Sequence, residues 1–89
     1  MTTADNARIL RAEDITGLVA EIPAGHRHLR TTLTLADGTS LTLQESTIAA
    51  IVRAYTAVKT SPVTTRVVMR GRRMAERKPG YAEWQLLEE

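Results

Sequence analysis

The 89-residue sequence has no cysteine and no phenylalanine, three prolines, five glycines, one tryptophan and two tyrosines. Without cysteine there is no disulfide framework, no thiolate nucleophile and no sulfur-ligated zinc or iron–sulfur site, and redox compartment leaves no mark on the chain. No stretch approaches the roughly 18 apolar residues of a spanning helix. The opening segment MTTADNARILRAED has neither the basic start nor the apolar run of a signal peptide, so a cytoplasmic, non-membrane protein is the expectation. Catalytic motifs are also missing. There is no Gly-x-Ser-x-Gly turn and no glycine-rich phosphate loop, and the paired carboxylates Glu13-Asp14 and Glu88-Glu89 lie near the chain ends as solvated charge. We therefore expect a non-enzymatic protein without a cofactor.

What is present is an ordinary globular composition, 43% hydrophobic and 25% charged, in a length that fits one domain with a modest core. The formal charge of +2 conceals an asymmetry. Lys59 to Tyr81 holds seven basic residues and one acid, a balance of +6, while the remainder holds five basic and nine acidic residues, a balance of −4.

Hydrophobic periodicity orders the chain. Residues 1–13 are polar apart from Ile9-Leu10 and read as a flexible N-terminal arm or a single helical turn, leaving 14–89 as one α+β domain. Ile15 to Ile22 is rich in β-branched residues and ends at Pro23-Ala24-Gly25, a strand followed by a turn. Leu29, Thr31, Leu33 and Leu35 alternate with polar residues, as do Leu41 and Leu43, around Asp37-Gly38. That pair predicts a tight hairpin turn, because both residues can take positive φ.

After Glu45 the period changes. Ile48, Ile51, Val52, Tyr55 and Val58 form one helical stripe, with Ser46 or Thr47 placed to cap it and Thr60-Ser61-Pro62 to end it. Val63 to Met69 reads as a strand, and Ala82, Trp84 and Leu86 as alternate positions of a last one, returned by Lys78-Pro79-Gly80. The order βββαββ predicts a five-stranded, mainly antiparallel sheet with the helix packed on its leucine face. The opposite face, with Thr32, Thr34, Ser40, Thr42 and Gln44, is left uncovered as solvent or interface.

The basic segment is the first candidate site. On an unbulged strand Arg66, Arg70 and Arg72 share a face in steps of roughly 7 Å, a spacing compatible with backbone phosphates, while Val67 and Met69 turn to the core. A bulge at Gly71 would move Arg72 to the other face. Arg73, Arg77 and Lys78 complete the patch, and His28 and Arg30 extend it from the polar sheet face. Arginines on an exposed strand also protect a sheet edge from aggregation. With Tyr55 on the helix stripe and Trp84 in the core, only Tyr81 is free to stack on bases, so backbone contact is favoured over base reading. His26 and His28 share a side if their stretch is a strand, but two ligands are too few for a metal site.

The arrangement of short N-terminal arm, three-strand meander and helix, with PAGHRH between the first two strands, is similar in order to a double-stranded-RNA-binding domain over about residues 5 to 59. That family opens its last helix with a lysine cluster and lacks a trailing hairpin, whereas here the helix opens ESTIAAIVR. The likeness is one of order alone, and no family is identified. Two functional expectations follow. One is a binding module whose basic hairpin meets nucleic acid through its backbone, or an acidic protein. The other is a protein-interaction or homodimerisation domain using the polar sheet face or an edge strand.

Overall fold

The computed structural model describes residues 8–74 and 83–89. The element order is β1 (Ile15–Glu21), β2 (Arg30–Leu35), β3 (Ser40–Gln44), α1 (Glu45–Lys59), β4 (Met69–Arg73) and β5 (Trp84–Glu88). The βββαββ order is as expected, but the strands form two antiparallel sheets instead of one. One is a β1-β2-β3 meander, the other a separate β4-β5 pair.

The alternation of leucine with threonine makes the meander two-faced. Leu18, Leu33 and Leu41 are cross-strand partners in one row, and Val19, Thr32 and Thr42 in the next. A register shift between Ile15 and Gly17 leaves Thr16 as the extra residue, so Ile15 returns to the leucine side opposite Leu35. Before β1, Ala12–Asp14 make a single 3₁₀ turn. It is tied down at Asp14, whose side chain accepts from the Arg11 amide at 2.9 Å and whose carbonyl accepts from the Ala36 amide at 2.8 Å.

The two turns of the meander use glycine where the backbone requires it. His26 N–H donates to the Pro23 carbonyl, and Gly25 has φ +81°, the value for the third residue of a type II turn. At the second hairpin only Gly38 has positive φ, at +90°. Gly38 N–H donates to Leu35 O at 2.9 Å and Leu35 N–H to Thr39 O at 2.8 Å, which makes a three-residue loop closed by a glycine bulge. The two-residue turn expected from Asp37-Gly38 is therefore not formed. Asp37 instead accepts the Thr39 amide through Oδ1 at 2.9 Å. That hydrogen bond, more than the Arg8 guanidinium 3.9 Å away, holds its carboxyl below the usual aspartate range.

Helix α1 leaves β3 with no intervening loop. Gln44 is both the last strand residue and the N-cap, and no side chain caps the helix, so Ser46 and Thr47 lie in its first turn instead of before it. At the far end Thr60 closes the helix onto the Thr56 carbonyl through its amide and its hydroxyl. Ser61 Oγ then accepts the amides of Val63 and Thr64. This local turn takes the backbone amides a ladder would need, and the expected strand from Val63 does not form; β4 starts at Met69.

The core is small and sits where the helix meets the sheet. Among the described residues only Leu35 and Ala50 are buried. Leu33 and Leu43 are half-buried, while Leu18 and Leu41 on the same face stay exposed, so the helix covers only part of the leucine face.

The side of the helix that packs inward is not the expected one. Ala50 is buried and Ala54, Ala57 and Ser61 are half-buried, whereas Ile51, Val52 and Tyr55 are 53%, 56% and 64% exposed. At ~100° per residue, Ile48, Val52 and Tyr55 lie roughly opposite Ala50. Small side chains let the helix approach closely; Ile51, Val52 and Tyr55 are turned outward, while Ile48 and Val58 of the same stripe are half-buried.

Candidate interaction surfaces

Three surfaces gather the candidate residues. The first is the β4-β5 pair. Its ladder is continuous from Met69↔Glu88 to Arg73↔Trp84, with Gly71 directly opposite Leu86 and no bulge. Arg70 and Arg72 therefore share one face and Arg73 lies on the other. Arg66 precedes the strand, so the expected row of three arginines in even steps is not built.

Two of the three strand arginines are occupied. Arg70 Nε lies 3.0 Å from Glu89 Oε1, and Arg73 Nη1 donates to Glu83 Oε1 at 2.7 Å. Both pairs are well exposed, which limits each to at most about 1 kcal/mol, but each offsets a positive charge. Arg66 and Arg72 are exposed and have no ion pair among the described residues. Arg77, Lys78, Tyr81 and the Lys78-Pro79-Gly80 turn lie outside the described residues.

Trp84 is not in the core. It is 58% exposed, against the back of Gly71 on the strand opposite. With Tyr55 also on the surface, two aromatic rings are accessible where the sequence suggested only Tyr81.

The second surface surrounds the start of α1. His28 is not on the polar sheet face; it lies in the loop before β2, its Nδ1 3.4 Å from Glu45 Oε2. Glu45 Oε1 accepts the Leu29 amide at 2.9 Å. That amide, and His28 after it, hold the Glu45 carboxyl below the usual glutamate range. The helix's first residue is thus the tie between the β1-β2 loop and α1. The sequence signal for this role is slight: a glutamate directly after a strand, ahead of Ser46 and Thr47.

Beside Glu45 a cavity of about 280 Å³ opens between the start of β2, the first turns of α1 and β5, with Arg30, Gln44, Arg53 and Gln85 on its walls. Arg53 Nη2 donates to the Leu86 carbonyl at 3.2 Å and joins the helix to β5. Arg30 thus belongs with Arg53 on this cavity and is separate from the arginine face of β4.

Among the described residues no three His, Cys, Asp or Glu side chains cluster as metal ligands, and neither histidine is hydrogen-bonded to a hydroxyl. No helix among them is long and apolar enough to cross a membrane.

The third surface is the outer side of α1. Ile51, Val52 and Tyr55 form a contiguous apolar stripe there, with Glu45 and Lys59 at the two ends of the helix. The polar sheet face has a different character, because some of its hydroxyls already have partners. Thr32 and Thr42 meet Oγ1 to Oγ1 at 3.0 Å across the strands, and Thr16 Oγ1 donates to the Thr34 carbonyl at 3.2 Å.

Comparison with protein-family models, with curated proteins and with solved structures finds no match for this chain.

Proposed function

We propose that this chain is a non-enzymatic protein-interaction domain that works as a homodimer. The supporting observation is the outward apolar stripe of α1, set against a core in which only Leu35 and Ala50 are buried among the described residues. A protomer of this size normally needs a larger core, oligomerisation or staples to be stable, and the chain has no cysteine for staples. Contiguous exposed apolar surface is the usual mark of a protein contact. The polar sheet face is a weaker driver, since separating its paired threonines would exchange existing hydrogen bonds for new ones. Sedimentation equilibrium tests the reading: a mass twice the 9.8 kDa of one chain is expected, and a folded monomer at roughly 100 µM overturns it.

A second reading, nucleic-acid contact through the β4-β5 pair, is favoured by the accessible Trp84 indole on one face of the pair and by Arg72, which has no ion pair among the described residues, on the other. An exposed aromatic face suits a stacked base, and an exposed guanidinium a backbone phosphate. The Arg70 and Arg73 ion pairs reduce the charge available for it.

A further inference from the structure

We infer that the dimer is formed by α1 packing antiparallel against α1 of a second copy, across a twofold axis that passes beside Val52. This rests on the homodimer reading and specifies its interface.

The spacing on the outer side of the helix carries the inference. Glu45, Ile48, Val52, Tyr55 and Lys59 are separated by three, four, three and four residues, the step of a helix–helix seam. The apolar members occupy the middle of the 15-residue helix, with Ile51 beside them, and the charged members occupy its first and last positions. The helix therefore presents an apolar centre with an acid at its N-terminal end and a base at its C-terminal end.

Such a surface complements a copy of itself when the copy runs the opposite way. Antiparallel pairing brings the Glu45 end of each helix to the Lys59 end of the other, and it sets the two helix dipoles head to tail. Parallel pairing would put like charges together at both ends, which is unfavourable. Val52 lies midway between Glu45 and Lys59, so the axis falls there. The centre of this stripe is free for a partner: Ile51, Val52 and Tyr55 are all more than half exposed, Ile48 is half-buried, and Glu45 stays about half exposed (49%) while it ties the helix to Leu29 and His28.

The absence of cysteine allows a direct test. Two single-cysteine variants are compared with a short bifunctional maleimide, Val52→Cys beside the inferred axis and Thr34→Cys on the polar sheet face. Rapid dimer cross-linking of Val52→Cys, with Thr34→Cys remaining uncoupled, is the expected result. Coupling through Thr34→Cys alone, or equally fast through both, overturns the helix pairing while the homodimer reading stands. Failure of both to couple overturns the pairing alone if sedimentation gives a dimer mass, and overturns both readings if it gives a monomer. Val52→Arg supplies an independent readout. It is expected to weaken association at least about tenfold, and unchanged association would overturn the inference. A circular-dichroism spectrum matching that of the parent at the same concentration checks that the fold is retained.

Discussion

The Trp84 indole occupies the space that a side chain on Gly71 would need: a Cβ there would lie 2.5 Å from both Cζ2 and Nε1 of the ring. The two residues are diagonal neighbours on one face of the β4-β5 ladder, Gly71 opposite Leu86 and Trp84 opposite Arg73. The glycine is there because a flat ring crosses the strand, and its φ is not in the positive range that would otherwise require it.

Gly71→Ala should therefore displace the indole. Overpacking of this kind costs about 1 to 3 kcal/mol, tempered here by the ring's exposure. Because Trp84 is the single tryptophan, its fluorescence reports the change directly. A shift in emission maximum is expected in Gly71→Ala, and an unchanged spectrum would show that the ring does not lie on Gly71.

Stability on the acid side should depend on Glu45. Its carboxyl is held below the ordinary glutamate range by the Leu29 amide and then by His28. A lowered folded-state value means that the contribution is complete above the unfolded value, about 4.3, and is lost as pH falls through the folded one. Denaturation midpoints measured from pH 6 down to pH 3 should fall less steeply in Glu45→Gln than in the parent. Asp37, lowered in the same direction, leaves a residual slope.

Gly38 and Gly17 should differ in their response to alanine. Gly38 has φ +90° and closes the β2-β3 loop, so Gly38→Ala should cost about 1 to 3 kcal/mol of backbone strain. A Cβ on Gly17 would sit 3.7 Å from Thr34 Cβ, ordinary contact, and Gly17→Ala should be close to neutral. Urea denaturation of the two variants separates them.

Leu35 is the buried residue of the sheet, and Leu35→Ala should cost about 2 to 5 kcal/mol, a large part of the stability of so small a core. Leu18→Ala, on the same face but 62% exposed, should cost far less. Equal losses in thermal or chemical denaturation would mean that Leu18 is covered in the assembled protein.

If the β4-β5 pair contacts nucleic acid, binding to a generic duplex should fall steeply between 50 and 200 mM salt, and Arg72→Ala should reduce the salt slope by about 1. Absence of binding by folded protein at 50 mM salt would remove that reading.

The elements themselves were largely legible in the sequence, and what covers them was not. Alternating leucines marked the β2-β3 hairpin, and the 3.6 period marked α1. Periodicity locates an apolar stripe without saying which body buries it, so the same period does not show which side of α1 faces the sheet. Ala50, Ala54 and Ala57 carry a weak hydrophobic signal, but their small size is what allows close approach to the sheet. Size and apolarity point Trp84 to the core, but a pair of five-residue strands with Gly71 on the strand opposite can hold the ring at the surface. Val63 to Val68 had strand composition, but the Ser61 turn and the five-residue length of β5 confined the ladder to Met69–Arg73. For the candidate site, the arginines were plain to see, but their acidic partners Glu83 and Glu89 were visible only once the strands were paired.

Gln44 joins β3 to α1 through a single residue in extended conformation, φ −78° and ψ 158°. With no loop to absorb an error, the azimuth of the helix is geared to the register of the strand before it. Deleting one residue from β3 would invert the side chains that follow relative to the sheet and would turn α1 about its own axis by ~100°. The alanine side would leave the sheet and the Ile51-Val52-Tyr55 stripe would swing away from any partner. The Gly38 loop, at the far end of β3, thereby sets the bearing of the helix surface as well as the pairing of two strands.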